Sequence, residues 1–248
     1  MGVFVIAEAG SSHDNDLQKA YRLIEAAKEC GADAVKFQWT SNGLAMAHRR
    51  GLGMEAGINY VKWLEKPLKE WLGRLAFHCK EVGIEFMCST FLVEDVIPIS
   101  FLVKRFKISA YECEWAEFVY AHKDFGKPVI ISKNPGQHLP DNTYWADVLH
   151  CVSEYPTPLE RLGLRNGMQE SNCVEGFSDH TGNVLAGAAA VAAGATIIEA
   201  HIRLHDTDKG NPDYGHSLTA WTSCDLFGSA PSQFKEYVAN IRTIERML

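Results

Sequence analysis

Short runs of β-branched and aromatic residues alternate along this chain with longer stretches whose apolar residues recur at helical spacing. The first such unit is a strand over residues 3–7 and a helix over residues 17–30, which Gly31 ends. Strands are predicted over residues 3–7, 34–37, 85–88, 105–109, 128–132, 148–152, 174–177 and 196–199. This order predicts an α/β fold, a (β/α)8 TIM barrel, and the 248 residues match the length of about 250 typical of one.

The connections between these strands supply the remaining helices and two irregular segments. The long segment 40–62 is expected to be an active-site loop, and 134–147 leaves room for only a short helix. A doubly wound sheet is the alternative, but Glu8-Ala9-Gly10 after the first strand is not its glycine-rich phosphate loop. Further helices are predicted over residues 67–82, 93–103, 115–122, 182–193 and 232–247.

Charge and cysteine usage narrow the class of protein. The net charge of −7 does not favour binding to nucleic acid or to an anionic membrane. The cysteines number seven and show no paired spacing, which favours reduced thiols and a cytoplasmic protein. We find no signal peptide and no apolar run long enough to span a bilayer.

Polar residues close the predicted strands and should meet at one end of the barrel. Lys36 and Lys107 lie in apolar strands, where a buried lysine needs an anionic partner. With the neighbouring hydroxyls they predict a site for a phosphate or carboxylate ligand. Alternatively, the lysines need no ligand, because Glu8 or Glu112 could pair with them. Either carboxylate could also move a proton.

Two histidines occupy equivalent positions at consecutive strand ends. His180 follows the seventh strand and His201 the eighth, and Asp213 comes shortly afterwards. Imidazole and carboxylate groups together suit a divalent metal ion. A single strand-end histidine would carry no such meaning, so the repeated position supports the prediction. The charged run 48–50 is interpreted as a solvated part of the long loop that could close over an anionic substrate.

The ordered set of strand-end motifs resembles the sialic acid synthase family over nearly the whole chain. The motifs are Ile-Ala-Glu-Ala-Gly (6–10), Ala-Val-Lys-Phe-Gln (34–38), Lys-Ile-Ser-Ala-Tyr-Glu (107–112), His-Cys-Val-Ser-Glu-Tyr-Pro-Thr-Pro (150–158), Ser-Asp-His-Thr (178–181) and Ile-Glu-Ala-His (198–201). That family uses a (β/α)8 barrel to condense phosphoenolpyruvate with an N-acylated hexosamine such as N-acetylmannosamine. The resemblance therefore implies the same reaction on a sugar or other aldehyde acceptor.

The resemblance also implies a role for each matching residue. His180, His201 and Asp213 match the metal site, which usually holds Mn²⁺ or Mg²⁺, and Glu8 and Glu112 match acidic site residues. The positions implied for phosphoenolpyruvate are Lys36, Lys107, Thr90, Ser132 and Ser178. Gln38 and Tyr155 match the acceptor site, and Ser153 follows the sixth strand beside them.

The chain also departs from the family pattern. Ala110 replaces a phosphate-binding serine, and Tyr111 replaces a glycine. We expect residues 1–248 to form one barrel without the family's small C-terminal antifreeze-like domain, and we expect a homodimer. Two alternatives stay open: a metal-dependent lyase or isomerase acting on a phosphorylated or keto-acid substrate, and a barrel that binds but does not catalyse.

Overall fold

Eight parallel strands close into a barrel in the computed structural model, which describes residues 2–168, 174–221 and 232–248. Each strand pairs with the next in sequence, and closure comes from β1 pairing with β8, where Glu8 lies beside His201. The strands are β1 (Phe4–Gly10), β2 (Ala34–Gln38), β3 (Glu85–Ser89), β4 (Phe106–Ile108), β5 (Val129–Lys133), β6 (Asp147–Cys151), β7 (Val174–Asp179) and β8 (Ile197–Arg203). A short β9 (Leu218–Thr219) adds to β8. The predicted (β/α)8 barrel is confirmed.

Helices cover the outside of the barrel. The first begins at Asp16, whose carboxylate accepts hydrogen bonds from the backbone N–H groups of Gln18 and Lys19. The helices are α1 (Leu17–Glu29), α2 (Gly43–Arg49), α3 (Met54–Tyr60), α4 (Lys66–Val82), α5 (Val93–Ser100), α6 (Ala116–Ala121), α7 (Leu164–Gly167), α8 (Ala186–Ala192) and α9 (Gln233–Glu245). No helix in the described ranges is long and apolar enough to cross a membrane.

The segment 40–62 is helical, so its prediction as a loop was wrong. It contains α2 and α3, and a π-helix (Val61–Glu65) joins α3 directly to α4. Asn42 caps α2 by accepting a hydrogen bond from the N–H of Ala45. Met46 packs with Leu64 and Phe91 in a small cluster of its own. The prediction was based on the length of this connection, which does not distinguish a loop from short helices.

Two other connections differ from regular units. Between β5 and β6 the described chain forms turns without a helix, in agreement with the trimmed unit predicted there. The predicted helix 182–193 begins only at Ala186. Before it, Thr181 Oγ1 and Asn183 Oδ1 accept hydrogen bonds from backbone N–H groups two residues further on. These local bonds compete with helix formation.

The inside of the barrel changes from apolar to polar along its axis. Side chains alternate across a strand, so every second residue points inward. At the amino-terminal end the interior holds an apolar layer, which consists of Ile6, Ala34, Met87, Ile130, Leu149 and Ile197. Two residues further along the strands, the inward positions become charged or hydroxylated, as at Glu8, Lys36, Ser132 and Glu199. The strands thus bring the polar groups together above a closed apolar floor.

Five cysteines are free and buried, namely Cys30, Cys79, Cys88, Cys113 and Cys151. Burial raises the pKa of the Cys79 and Cys113 thiols to about 12, so both stay protonated at neutral pH. Cys173 and Cys224 lie outside the described residues.

Gly176 on β7 has no room for a side chain. A Cβ atom there would lie 2.1 Å from the carbonyl oxygen of Ile197 and 2.7 Å from Cδ2 of Leu149. Gly176→Ala should therefore force two barrel strands apart and destabilise the fold by about 1–3 kcal/mol, a typical cost of overpacking. A fall in melting temperature of several degrees is expected.

The matched control is Gly73→Ala in α4, where the added Cβ meets nothing within 4 Å. Alanine is the better helix former by roughly 1 kcal/mol, so this variant should be as stable as the parent or more so. Thermal unfolding of both variants checks the prediction. Equal stability of the two variants would contradict the tight strand contact at Gly176.

Candidate active site at the carboxyl ends of the strands

A cavity of about 300 Å³ opens at the carboxyl ends of the barrel strands. It is the end of the barrel where loops follow the strands and where barrel enzymes carry their chemistry. Ten of the thirteen residues predicted for the site line it: Glu8, Lys36, Gln38, Lys107, Ser132, Tyr155, Ser178, His180, His201 and Asp213. The predicted residues therefore form half of the cavity wall, which has twenty lining residues.

Two buried lysines and two buried glutamates form the deepest part of the cavity. Lys36 pairs with Glu8 and lies 3.7 Å from Glu199. Lys107 lies 3.7 Å from the other oxygen of Glu199. Both ammonium groups also donate to hydroxyls, from Lys36 to Ser89 over 3.1 Å and from Lys107 to Ser132 over 2.8 Å.

The protonation states follow from burial and from these partners. Burial raises the pKa of Glu8 to about 7, against the opposing pull of Lys36. Burial would also raise the pKa of Glu199, but Lys107 and Lys36 outweigh it and lower that pKa. Burial lowers the pKa of Lys107. Burial acts in the same direction on Lys36, where Glu199 and Glu8 reverse its effect and raise the pKa. The two lysines and the two glutamates thus hold each other's charge in a space that excludes most water.

Glu199 was missed as a site residue. It lies two positions before His201 on β8, so both side chains point into the barrel. The signal was present, because a charged residue at a buried strand position needs a partner. It was read only as part of the family motif Ile-Glu-Ala-His.

Three predicted residues do not line the cavity. Thr90 is buried outside it, and Ser89 takes the place beside Lys36. Ser153 donates its backbone N–H to Asn134 over 2.7 Å. Glu112 is buried behind the cavity wall, where it accepts a hydrogen bond from the Ser109 hydroxyl. The functional roles of these three residues stay predictions.

Arg50 enters the cavity, so the interpretation of the charged run 48–50 as a solvated loop was wrong at this residue. Its Nε donates to Glu112 over 2.7 Å, and its Nη1 donates to the Tyr60 hydroxyl over 3.1 Å. The guanidinium lies 4.6 Å from the centre of the Tyr111 ring, a cation–π contact. Tyr111 is 57% exposed, which places this group of residues at the mouth. Glu112 thus pairs with Arg50, and the predicted pairing with the lysines holds for Glu8 alone.

Histidines and an aspartate form the opposite wall. The set His201, Asp213 and His216 can present three ligand atoms that all lie within 4.8 Å of one another. His216 was not predicted, because it lies in the irregular segment before β9, where no periodicity marks it. His180 lies beside this set, with its ring centre 5.4 Å from that of His201.

The polar contacts of this wall are those that a metal site needs. His201 Nδ1 and His216 Nε2 are buried and have no hydrogen-bond partner. Asp213 Oδ2 accepts from the backbone and hydroxyl of Ser11, both over 2.7 Å, which leaves Oδ1 facing the two imidazoles. Such outer contacts orient metal ligands. The donor set therefore fits a divalent metal ion.

Gly10 makes the approach of Asp213 possible. Its φ of +48° lies in the left-handed region. A Cβ atom at this position would lie 2.3 Å from Asp213 Oδ2. The glycine of the Glu-Ala-Gly motif therefore makes room for the carboxylate of Asp213 and does not form a phosphate loop.

Fold and cavity define a TIM-barrel protein that carries a buried lysine–glutamate cluster and a histidine–aspartate cluster in one cavity. The chain belongs to the NeuB family, whose profile matches residues 23–138 and 141–248. It is an enzyme of the sialic acid synthase type.

Relatives of the chain include several sugar acid synthases. It is 32% identical to the spore coat polysaccharide biosynthesis protein SpsE of Bacillus subtilis, over 99% of this chain and 68% of that protein. It is 32% identical to the N,N'-diacetyllegionaminic acid synthase of Legionella pneumophila, over 100% of this chain and 74% of that protein. Among solved structures it resembles the sialic acid synthetase of Leptospira borgpetersenii in complex with citrate. The TM-score is 0.81 and the identity 26%, over 100% of this chain and 85% of that one.

The lysine cluster depends on Glu199, which leads to a stability prediction. Glu199→Gln removes the carboxylate that both lysines share, and breaking a buried pair typically costs about 3–5 kcal/mol. We expect a clear fall in melting temperature. Added inorganic phosphate should stabilise this variant more than the parent, because the anion replaces the missing charge.

Glu154→Gln is the control, since Glu154 pairs with Arg161 at side-chain exposures of 40% and 66%. Such surface pairs contribute about 1 kcal/mol at most. Thermal unfolding with and without phosphate measures both effects. A Glu199 variant that behaves like the Glu154 variant would show that the lysines do not need this carboxylate.

Proposed function

We propose that this protein is a metal-dependent synthase that condenses phosphoenolpyruvate with an aldose such as N-acetylmannosamine or a related aldehyde. The products are a 2-keto sugar acid and inorganic phosphate. One observation carries the proposal: two buried lysines with hydroxyl partners share a single cavity with a histidine–aspartate cluster. Membership of the NeuB family supports the same reaction.

The lysine end of the cavity is the proposed site for phosphoenolpyruvate. Lys36 and Lys107 supply the charge, and Ser89, Ser132 and Ser178 supply hydroxyls around them. Charged donors with hydroxyl neighbours are the groups that hold phosphate and carboxylate oxygens. Because both lysines are 3% exposed, the anion is bound where water competes little.

The proposed condensation forms one carbon–carbon bond and breaks the carbon–oxygen bond to the phosphate. Carbon 3 of phosphoenolpyruvate forms a bond to the aldehyde carbon, whose oxygen takes a proton and becomes a hydroxyl. A water molecule adds at carbon 2, and the bond from carbon 2 to the phosphate oxygen then breaks to release phosphate and leave a ketone. Glu8 is our candidate for accepting the proton of the water, because its pKa of about 7 suits a general base at neutral pH.

The opposite wall is the proposed metal site. His180, His201 and Asp213 would hold the ion, with Mn²⁺ or Mg²⁺ as the candidates. When bound, the ion would supply Lewis acid polarisation of the aldehyde oxygen. Burial lowers the pKa of His180 to about 4, so its imidazole is neutral and able to bind a cation.

The acceptor is proposed to lie between these two ends, towards the mouth. Gln38 donates to Glu8 over 2.7 Å, and Tyr155 lies 4.4 Å from the His180 ring, so both border this space. Tyr111 and Arg50 close it on the outer side. A bulky ring at Tyr111 restricts the size of the acceptor that the mouth admits.

Phosphate release tests the proposed function. The protein is incubated with phosphoenolpyruvate and Mn²⁺, and N-acetylmannosamine, other N-acyl hexosamines and phosphorylated aldoses are supplied in turn. We expect release that requires one class of aldehyde. Lys107→Met should lower kcat/KM by about 10²–10³-fold, the typical effect of removing one group that stabilises transition-state charge.

Lys123→Met, at an exposed lysine that does not line the cavity, is the control and should leave the rate unchanged. Release without any aldehyde would favour a lyase. The absence of release with every acceptor, in a folded protein that holds its metal, would contradict the synthase.

Tyr111 provides a test of acceptor selection. Tyr111→Ala enlarges the mouth of the cavity, so acceptors with larger N-acyl groups should gain in kcat/KM by roughly tenfold relative to the smallest one. The KM for phosphoenolpyruvate should not change, because the lysines lie deeper. Steady-state kinetics on an acceptor series measures the ratio.

Tyr144→Ala is the matched control, since Tyr144 is 87% exposed and does not line the cavity. An acceptor profile that is the same in both variants would remove Tyr111 from the acceptor site.

A further inference from the structure

His216 lies against the predicted metal ligands but belongs to no predicted role. It is 4% exposed, in the segment that leads from β8 to β9. Its ring centre is 4.4 Å from that of His201, with the two rings nearly perpendicular. Its Nε2 lies 3.6 Å from Asp213 Oδ1, which is too far for a hydrogen bond.

The unsatisfied nitrogens of this pair call for a partner. Neither His216 Nε2 nor His201 Nδ1 has a hydrogen bond, although both are buried. Burying a polar atom without a partner costs free energy, so such atoms have a reason in most native proteins. Both nitrogens face the same carboxylate oxygen, His201 Nδ1 from 3.8 Å. Ligand atoms around one tetrahedral ion stand about 3.3 Å apart, so a small contraction would bring all three onto a cation.

The position of His180 agrees with a shared ion. Its Nδ1 lies 2.9 Å from the carbonyl oxygen of Val152, which can only accept, so Nδ1 carries the proton and Nε2 is free to bind. The ring centres of His180 and His216 are 6.3 Å apart. Two imidazoles bound to one tetrahedral ion have ring centres about 5 Å apart, because each bound nitrogen lies about 2 Å from the ion. The separations here, 4.4, 5.4 and 6.3 Å, lie around this value.

We propose that His216 is a third imidazole ligand, which completes a site of His180, His201, His216 and Asp213 that takes a transition metal ion and discriminates against Mg²⁺. The assignment of His216 depends on the proposed function only because both place the metal ion among these histidines and Asp213.

A third imidazole changes which ion is preferred. Mg²⁺ takes oxygen ligands and keeps its water, whereas imidazole suits Zn²⁺ and Fe²⁺. For one set of nitrogen and oxygen ligands, affinity rises from Mn²⁺ through Fe²⁺ and Co²⁺. The site should therefore bind Zn²⁺ and Co²⁺ more tightly than Mn²⁺, and Mn²⁺ more tightly than Mg²⁺.

Metal binding to the full chain tests the proposal without measuring activity. The protein is stripped with a chelator, its fold is checked by circular dichroism, and Zn²⁺, Mn²⁺ and Mg²⁺ are titrated by calorimetry. Co²⁺ is titrated in parallel by visible absorption, which reports the ligands around the ion. The variants are His216→Ala, His216→Gln, which retains much of the side-chain volume, and His201→Ala. His138→Ala, at an exposed histidine, is the control for adventitious binding.

The expected result is one tight ion per chain in the parent and in the His138 variant. Both His216 variants should lose at least tenfold in Zn²⁺ affinity and change the Co²⁺ spectrum. Mutating a residue that only hydrogen-bonds to a metal ligand already lowers metal affinity by about 10–100-fold. Pulsed electron paramagnetic resonance of the Mn²⁺-loaded parent should show couplings from three imidazole nitrogens. This last measurement needs no variant, so it decides the question even where a variant does not fold.

Several results would overturn the proposal. One is unchanged affinity and an unchanged Co²⁺ spectrum in folded His216 variants, while His201→Ala loses the ion. Mg²⁺ binding as tight as Mn²⁺ binding is another, and couplings from only two imidazole nitrogens would be a third. The assay of aldehyde-dependent phosphate release tests the synthase independently of metal binding. Failure of the proposed His216 ligand and failure of the proposed synthase are therefore distinguishable.

Discussion

Four charged groups are buried inside one barrel, and the rest of the site depends on how they satisfy each other. Lys36 and Lys107 can be 3% exposed only because Glu199 lies between them and Glu8 pairs with Lys36. A buried ion pair is a weak source of stability, since the desolvation of both partners offsets their attraction. Stability alone therefore does not explain the cluster, and on the proposed function its lysines would bind an anion above the apolar layer.

Barrel geometry explains why such a cluster can form. The same strand that sends Ile6 into the apolar layer sends Glu8 into the polar one, two residues later. The register between β1 and β8 then sets Glu8 beside His201. Glu8 of the lysine–glutamate cluster and His201 of the histidine–aspartate cluster are thus held by neighbouring strands, an arrangement that keeps groups in a fixed relation.

Sequence reasoning succeeded where strand periodicity carries the information. It predicted the barrel and half of the cavity lining, because Lys36, His180 and their counterparts lie at strand ends. It failed for residues that lie outside the strands. Arg50 follows a short helix in the segment predicted as a loop, and His216 lies in a segment without hydrophobic periodicity. Exact contacts such as Ser89 in place of Thr90 depend on inward or outward orientation at a strand's last residue, where a shift of one position decides the outcome.

The ion pair between Arg50 and Glu112 has a consequence for the order of events in the cavity. Because Glu112 pairs with the Arg50 guanidinium at the mouth, the ammonium groups of Lys36 and Lys107 lie below a cation that already has a carboxylate partner. On the proposed assignment an anion would bind at the lysines before the acceptor occupies the space above them. The acceptor would then separate the bound anion from bulk solvent.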